Sequence, residues 1–171
     1  MKANDYMSEN RVSIPDVTTK SQIGLVVKDA RLRAEQISKL FGIGPFVEEI
    51  YPGINATVHG KPAEFEMLSM TADMAPLLEL ELCQVLKGRP IHQEFLEAKG
   101  EGFHHLGLYV KDFRQEIKKW EEKGIKVLQW SLNPPQYPAG SGYAYMDTEK
   151  LLGFIVEIAD IPSAALQPGK K

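Results

Sequence analysis

The segment QIGLVVKDAR from Gln22 returns as HLGLYVKDFR from His105, ten positions aligned without a gap and six of them identical, at an offset of 83 residues. Two copies so far apart are no solenoid; they mark two homologous halves packed about a pseudo-twofold axis. In a chain of 171 residues both halves must share one domain's volume. Whatever fold forms has to be built twice.

Each copy is a short apolar strand, Ile23 to Val27 and Leu106 to Val110, closed by Lys-Asp and followed by a helix. Ala30 to Phe41 is rich in helix formers and stops at Gly42, while Phe113 to Lys123 carries Phe113, Ile117 and Trp120 at helical spacing and stops at Gly124. Strand-like runs follow at 47–51, 63–70 and 77–85, then at 126–130, 143–147 and 153–158. The expected class is α+β, two βαβββ modules over residues 21–88 and 103–160, joined by a helix within 89–102. The Gly- and Pro-rich segments 52–62 and 133–142 read as loops, and Gly42 to Phe46 as a helix stop lacking the lysine of a phosphate cradle. Residues 1–20 read as an arm with at most one strand, near Val12 to Ile14, and 161–171 as a tail.

Side chains alternate across a strand. Leu78, Leu80 and Leu82 therefore oppose Glu79, Glu81 and Cys83, and Phe154, Val156 and Ile158 oppose Ile155, Glu157 and Ala159. Likewise Leu106, Leu108 and Val110 oppose His105, Gly107 and Tyr109, while Ile23, Leu25 and Val27 oppose Gln22, Gly24 and Val26. Each half offers one polar residue heading its first strand and one carboxylate on its last: Gln22 with Glu81, His105 with Glu157. With these faces inward the oxygen and nitrogen donors can converge, a set that suits a divalent metal of intermediate hardness. Two carboxylates about 4 Å apart at an effective dielectric of about 20 repel by roughly 4 kcal/mol, which a bound cation relieves.

Twenty Lys and Arg against 23 Asp and Glu, net charge -3, lack the basic excess of a nucleic-acid binder. The single cysteine, Cys83, can form no intrachain disulfide and no Cys-rich zinc site. No stretch approaches about 18 uninterrupted apolar residues, and residues 1–20 hold no signal-like apolar run. A cytoplasmic chain without a membrane partner is expected.

The openings QIGLVVKDA and GEGFHHLGLYVKD, the stretch LELCQVLKGRPIHQEFLEAKGEG and the ending YAYMDTEKLLGFIVEI resemble the vicinal oxygen chelate superfamily over nearly all of residues 22–159. Within it the chain is most similar to methylmalonyl-CoA epimerases. The resemblance implies a curved mixed sheet with helices outside and a site on its concave side. It implies one divalent metal (cobalt, zinc, manganese or nickel) at Gln22, Glu81, His105 and Glu157, an acyl-CoA thioester as substrate, and allows a homodimer. It also implies a second acid/base glutamate on the strand AEFEMLSM, aligned with Glu66 and two residues from Glu64, working opposite Glu157.

Gln22 departs from the histidine usual there in the epimerases, and the Gln, Glu, His, Glu set is similar to that of some glyoxalase I enzymes. A lactoylglutathione-lyase-like activity, or a metal-free small-molecule-binding or resistance protein, therefore stands beside epimerisation at the α-carbon. Among the remaining residues, His104 is expected on the face opposite His105, in a structural or supporting role. His59 and His92 are expected in solvent and Cys83 in packing. Tyr143, Tyr145 and Trp130 are expected in the core, with an acyl pocket as the alternative.

Overall fold

The computed structural model describes residues 20–160; the expected strand at Val12 to Ile14 and the tail lie outside the described residues. In chain order the elements are β1 (Ser21–Val26), α1 (Ala30–Phe41), β2 (Val47–Pro52), β3 (Ile54–Val58), β4 (Lys61–Pro62), β5 (Phe65–Ala75), β6 (Leu78–Gly88), α2 (Ile91–Lys99), β7 (Gly102–Val110), α3 (Phe113–Glu121), β8 (Val127–Leu132), β9 (Gly142–Met146), α4 (Glu149–Leu152) and β10 (Ile155–Asp160). The strands join one sheet in the order β2-β5-β6-β1-β7-β10-β9-β8-β3-β4. β1 runs parallel to β6 and β7 parallel to β10, while β1 and β7 meet antiparallel at the centre. This is the βαβββ unit twice, with a hairpin inserted in the first copy. Among the described residues no helix is long and apolar enough to cross a membrane.

That hairpin corrects the reading of 52–62 as a loop. β3 and β4 leave the first half and pair with β8 of the second. Since β2 ends at Pro52 and β3 begins at Ile54, Gly53 alone carries the chain from one edge of the sheet almost to the other. Consecutive Cα atoms are about 3.8 Å apart, so the sheet has to curl until its ends nearly meet. The glycine and proline content that suggested a loop serves this corner and the β3–β4 turn, where His59 and Gly60 take φ of 49° and 74°.

The repeated Lys-Asp pair has a structural job. The Asp29 and Asp112 side chains accept from Leu32 N at 2.9 Å and Gln115 N at 3.0 Å, capping α1 and α3. Each cap is worth about 1 kcal/mol. The leucine-rich faces of the strands lie under these helices: Leu68, Leu80 and Leu82 pack with Ala30 and Ala34 of α1, and Val110, Val156 and Ile158 with Phe113 and Trp120 of α3. Helix α2 departs from the expectation that helices lie outside. Its Phe95 and Leu96 pack with Val26 and Cys83, and Ile91 with Tyr143 and Tyr145, all from the opposite, inner faces.

Candidate metal centre

Two glycines related by the repeat organise the centre of the sheet. Gly24 pairs with Glu81 on one side and His105 on the other; Gly107 pairs with Glu157 and Gln22. All four sequence-derived donors are thereby set around the β1–β7 axis on the inner face. A β-carbon on Gly24 would fall 1.9 Å from His105 Cε1, and one on Gly107 would meet Gln22 Oε1 and Glu157 Oε2 at 3.2 Å each. Side chains from the partner strands occupy the space these glycines leave free.

His105 Nε2 lies 3.3 Å from Glu81 Oε2 and 3.4 Å from Glu157 Oε2, without an aligned hydrogen bond to either. One donor atom from each of the three residues fits within a 4.8 Å span. Burial opposes charge on His105, but Glu157 and Glu81 outweigh it and raise its pKa to about 9. Burial likewise opposes ionisation of Glu81, yet His105, Ser69 and Cys83 hold it below the usual carboxylate range. Two buried carboxylates thus draw a proton onto a buried imidazole whose Nε2 has no bonded partner. A divalent cation answers the same electrostatic demand, and the residues fit one.

Gln22 Nε2 donates to Glu79 Oε1 at 2.8 Å, which leaves the amide oxygen as its available donor. Glu79 also receives Tyr109 Oη at 3.0 Å and Lys20 Nζ at 2.7 Å. Of the two glutamates sharing this face of β6, Glu79 therefore orients Gln22, while Glu81 approaches His105.

Other expectations need correction. Glu66 does not meet Glu157: it shares its strand face with Leu68, which packs under α1, and neither Glu66 nor Glu64 borders the inner cavity. His104 is not turned away from His105. Gly24 pairs with His105 but Leu25 with Phe103, so β7 bulges by one residue and brings His104 Nδ1 to 3.0 Å from His105 Nδ1. His92 is not in solvent but 2% exposed on the inner side of α2. His59 is half exposed, as expected, and pairs with Glu94. Tyr143 and Tyr145 line the cavity, whereas Trp130 packs on the outer cluster.

The cavity measures about 220 Å³ and is bordered by Gln22, Glu81 and Glu157 together with Glu49 and Tyr51 of β2. Glu49 was missed. Alternation across VEEIY could have found it, since Glu48 turns outward to Arg31 while Glu49 shares the inner face with Tyr51. Glu49 accepts from Tyr51 Oη at 2.9 Å, Tyr137 Oη at 2.6 Å and Gln136 Nε2 at 2.6 Å. The 133–142 loop thus reaches across the cavity mouth to hold it.

Residues 21–145 match the family described as Glyoxalase/Bleomycin resistance protein/Dioxygenase superfamily. The chain belongs to this superfamily. A methylmalonyl-CoA epimerase from Mycobacterium tuberculosis has the same vicinal oxygen chelate fold, with TM-score 0.61 and 17% identity over 91% of this chain and 97% of that one. A methylmalonyl-CoA epimerase in complex with methylmalonyl-CoA and NH4+ gives 0.56 and 18% over 85% and 95%. The uncharacterized protein YqjC of Bacillus subtilis (strain 168) is 24% identical over 106 residues, 61% of this chain and 74% of its own. Identities this low carry the fold to this superfamily member, not the reaction.

Proposed function

We propose that the protein is a metal-dependent epimerase acting at the α-carbon of methylmalonyl-CoA or a similar acyl-CoA thioester, in the cytoplasm, as a monomer or homodimer. The observation that carries this reading is one cavity bordered by three of the donors, Gln22, Glu81 and Glu157, with His105 beside both carboxylates, and by a further carboxylate, Glu49. Gln22, Glu81, His105 and Glu157 would hold one divalent ion of cobalt, zinc, manganese or nickel. Bound there, the ion would supply Lewis acidity toward the oxygens of the thioester.

Inversion needs a proton group on each face of the α-carbon. Glu157 sits on β10 among Tyr145 and Ala159, where little but His105 constrains it. Glu49 comes from β2, on the far half of the curled sheet. With one carboxylate removing the α-proton and the other returning one from the opposite face, general acid and base catalysis contributes about 10²–10⁴-fold. Tyr51, Tyr137 and Gln136 hold Glu49 in place, and Glu49 replaces Glu66 in the two-carboxylate scheme.

The glyoxalase I-like alternative is kept in view by Gln22, where the epimerases usually carry histidine. Metal-reconstituted protein should interconvert the epimers of methylmalonyl-CoA and leave the methylglyoxal-glutathione adduct unchanged. Turnover of the adduct alone would transfer the site to the lyase reaction, and a purified protein that retains no divalent metal would favour a binding or resistance role.

A further inference from the structure

Helix α2 brings to the inner face a group that the proposed chemistry does not use. His92 is 2% exposed, and neither of its ring nitrogens has a hydrogen-bond partner. Buried polar atoms normally find one. Its ring lies 4.4 Å from that of His104 and edge-on to His105 and Tyr145. Cys83, equally buried, shares the inner face of β6 with Glu81 and donates to its Oε2 at 3.1 Å. One donor atom each from Cys83, His92 and His105 lies within 4.8 Å of the other two, a span that side-chain rotation can close onto one ion.

We propose that Cys83, His92 and His105 form a second metal site of sulfur and nitrogen donors, which takes a thiophilic divalent ion such as zinc. Thiolate with imidazole is the softer set, and three protein donors leave a tetrahedral ion one open position. The Sγ–H proton passes to solvent as the sulfur–metal bond forms, with no change of oxidation state. Because His105 Nδ1 is engaged with His104, Nε2 is the nitrogen left for either site. The two sites are therefore exclusive. An ion held by Cys83 and His92 withdraws His105 from Glu81 and Glu157, so a thiophilic metal competes with the one the oxygen-rich set prefers.

The test is a titration of the full-length, metal-stripped protein with Co2+, followed by absorption and equilibrium dialysis. Cys83 is the chain's single cysteine, so any thiolate-to-cobalt charge-transfer band in the near ultraviolet comes from it. The band should appear as Co2+ binds, vanish in Cys83→Ser, and require at least tenfold more Co2+ in His92→Gln, while Glu157→Gln retains it. Co2+ binding without the band in wild type and in Glu157→Gln alike, where the oxygen-rich set is weakened, overturns this inference; no binding at all overturns both sites. A band indifferent to His92→Gln also refutes the trio. Should His92→Gln fail to fold, the wild-type spectrum and its loss in Cys83→Ser still decide.

Discussion

The two halves place equivalent carboxylates in unlike surroundings. Glu81 of the first half accepts from Ser69 Oγ at 2.6 Å and Cys83 Sγ at 3.1 Å. Ser69 faces Cys83 across β5 and β6; the corresponding pair on β9 and β10 is Tyr143 and Ala159, so Glu157 has aromatic and methyl walls where Glu81 has a hydroxyl and a thiol. In the proposed reaction Glu81, held by Ser69 and Cys83, serves the metal alone, whereas Glu157, beside His105 among apolar groups, also carries the proton.

The largest effect should separate those two roles. Glu157→Gln is expected to lower epimerisation by about 10²–10⁴-fold even at saturating metal, whereas Glu81→Gln should weaken metal binding and recover most of its turnover when metal is in excess. Steady-state rates across a metal series would show it, and equal losses at saturation would break the comparison. Glu49→Gln should match the Glu157→Gln loss in turnover while its metal content stays at the wild-type level. Glu66→Gln, on the outer face, should leave activity unchanged.

A smaller effect is expected at the paired glycines. Gly24→Ala drives a methyl into the His105 ring and should cost about 10–100-fold in metal affinity, the range seen when groups supporting a ligand are lost. Gly107→Ala asks its neighbours to yield only a few tenths of an ångström, and its loss should stay below about tenfold. Calorimetric titration of both variants measures the asymmetry directly.

These glycines also show what the sequence made legible. The repeat and the alternation rule located both halves, the pairing of Gln22 with His105 and of Glu81 with Glu157, and the face that carries them. What they could not supply was which side of the sheet becomes concave. Glu66 was expected opposite Glu157, but it shares its face of β5 with Leu68 and Met70, and that face is the one under α1. Alternation fails at the His104 bulge because an extra residue breaks the period of two. His92 looked solvated because a nine-residue helix with His, Gln and Glu at its second to fourth positions gives no sign that it will plug the inside of a curled sheet.

Smaller again is the effect of Ser69→Ala, which removes a charge-assisted bond from Glu81 and should lower stability by about 1.5–3 kcal/mol with little change in turnover. Equal loss of turnover would erase the distinction between anchor and proton carrier. The smallest concerns Asp160 at the end of β10. Burial raises its pKa to about 6, against the opposing bond from Phe113 N. A carboxyl that is raised on folding adds stability that is full below its unfolded value of 3.8 and lost as pH rises through about 6. The stability difference between wild type and Asp160→Asn, followed by urea unfolding, should therefore shift toward the wild type as pH falls across that window.

The central claim is that one metal-dependent site, with a donor pair from each half, labilises the α-proton of a thioester. Its most direct test is proton NMR of methylmalonyl-CoA in deuterated water with metal-reconstituted protein. The α-proton signal should disappear as solvent deuterium enters, the exchange should stop when a chelator removes the metal, and it should return when the metal is restored. A fully metal-loaded protein that binds the thioester and leaves its α-proton in place over many hours would contradict the account.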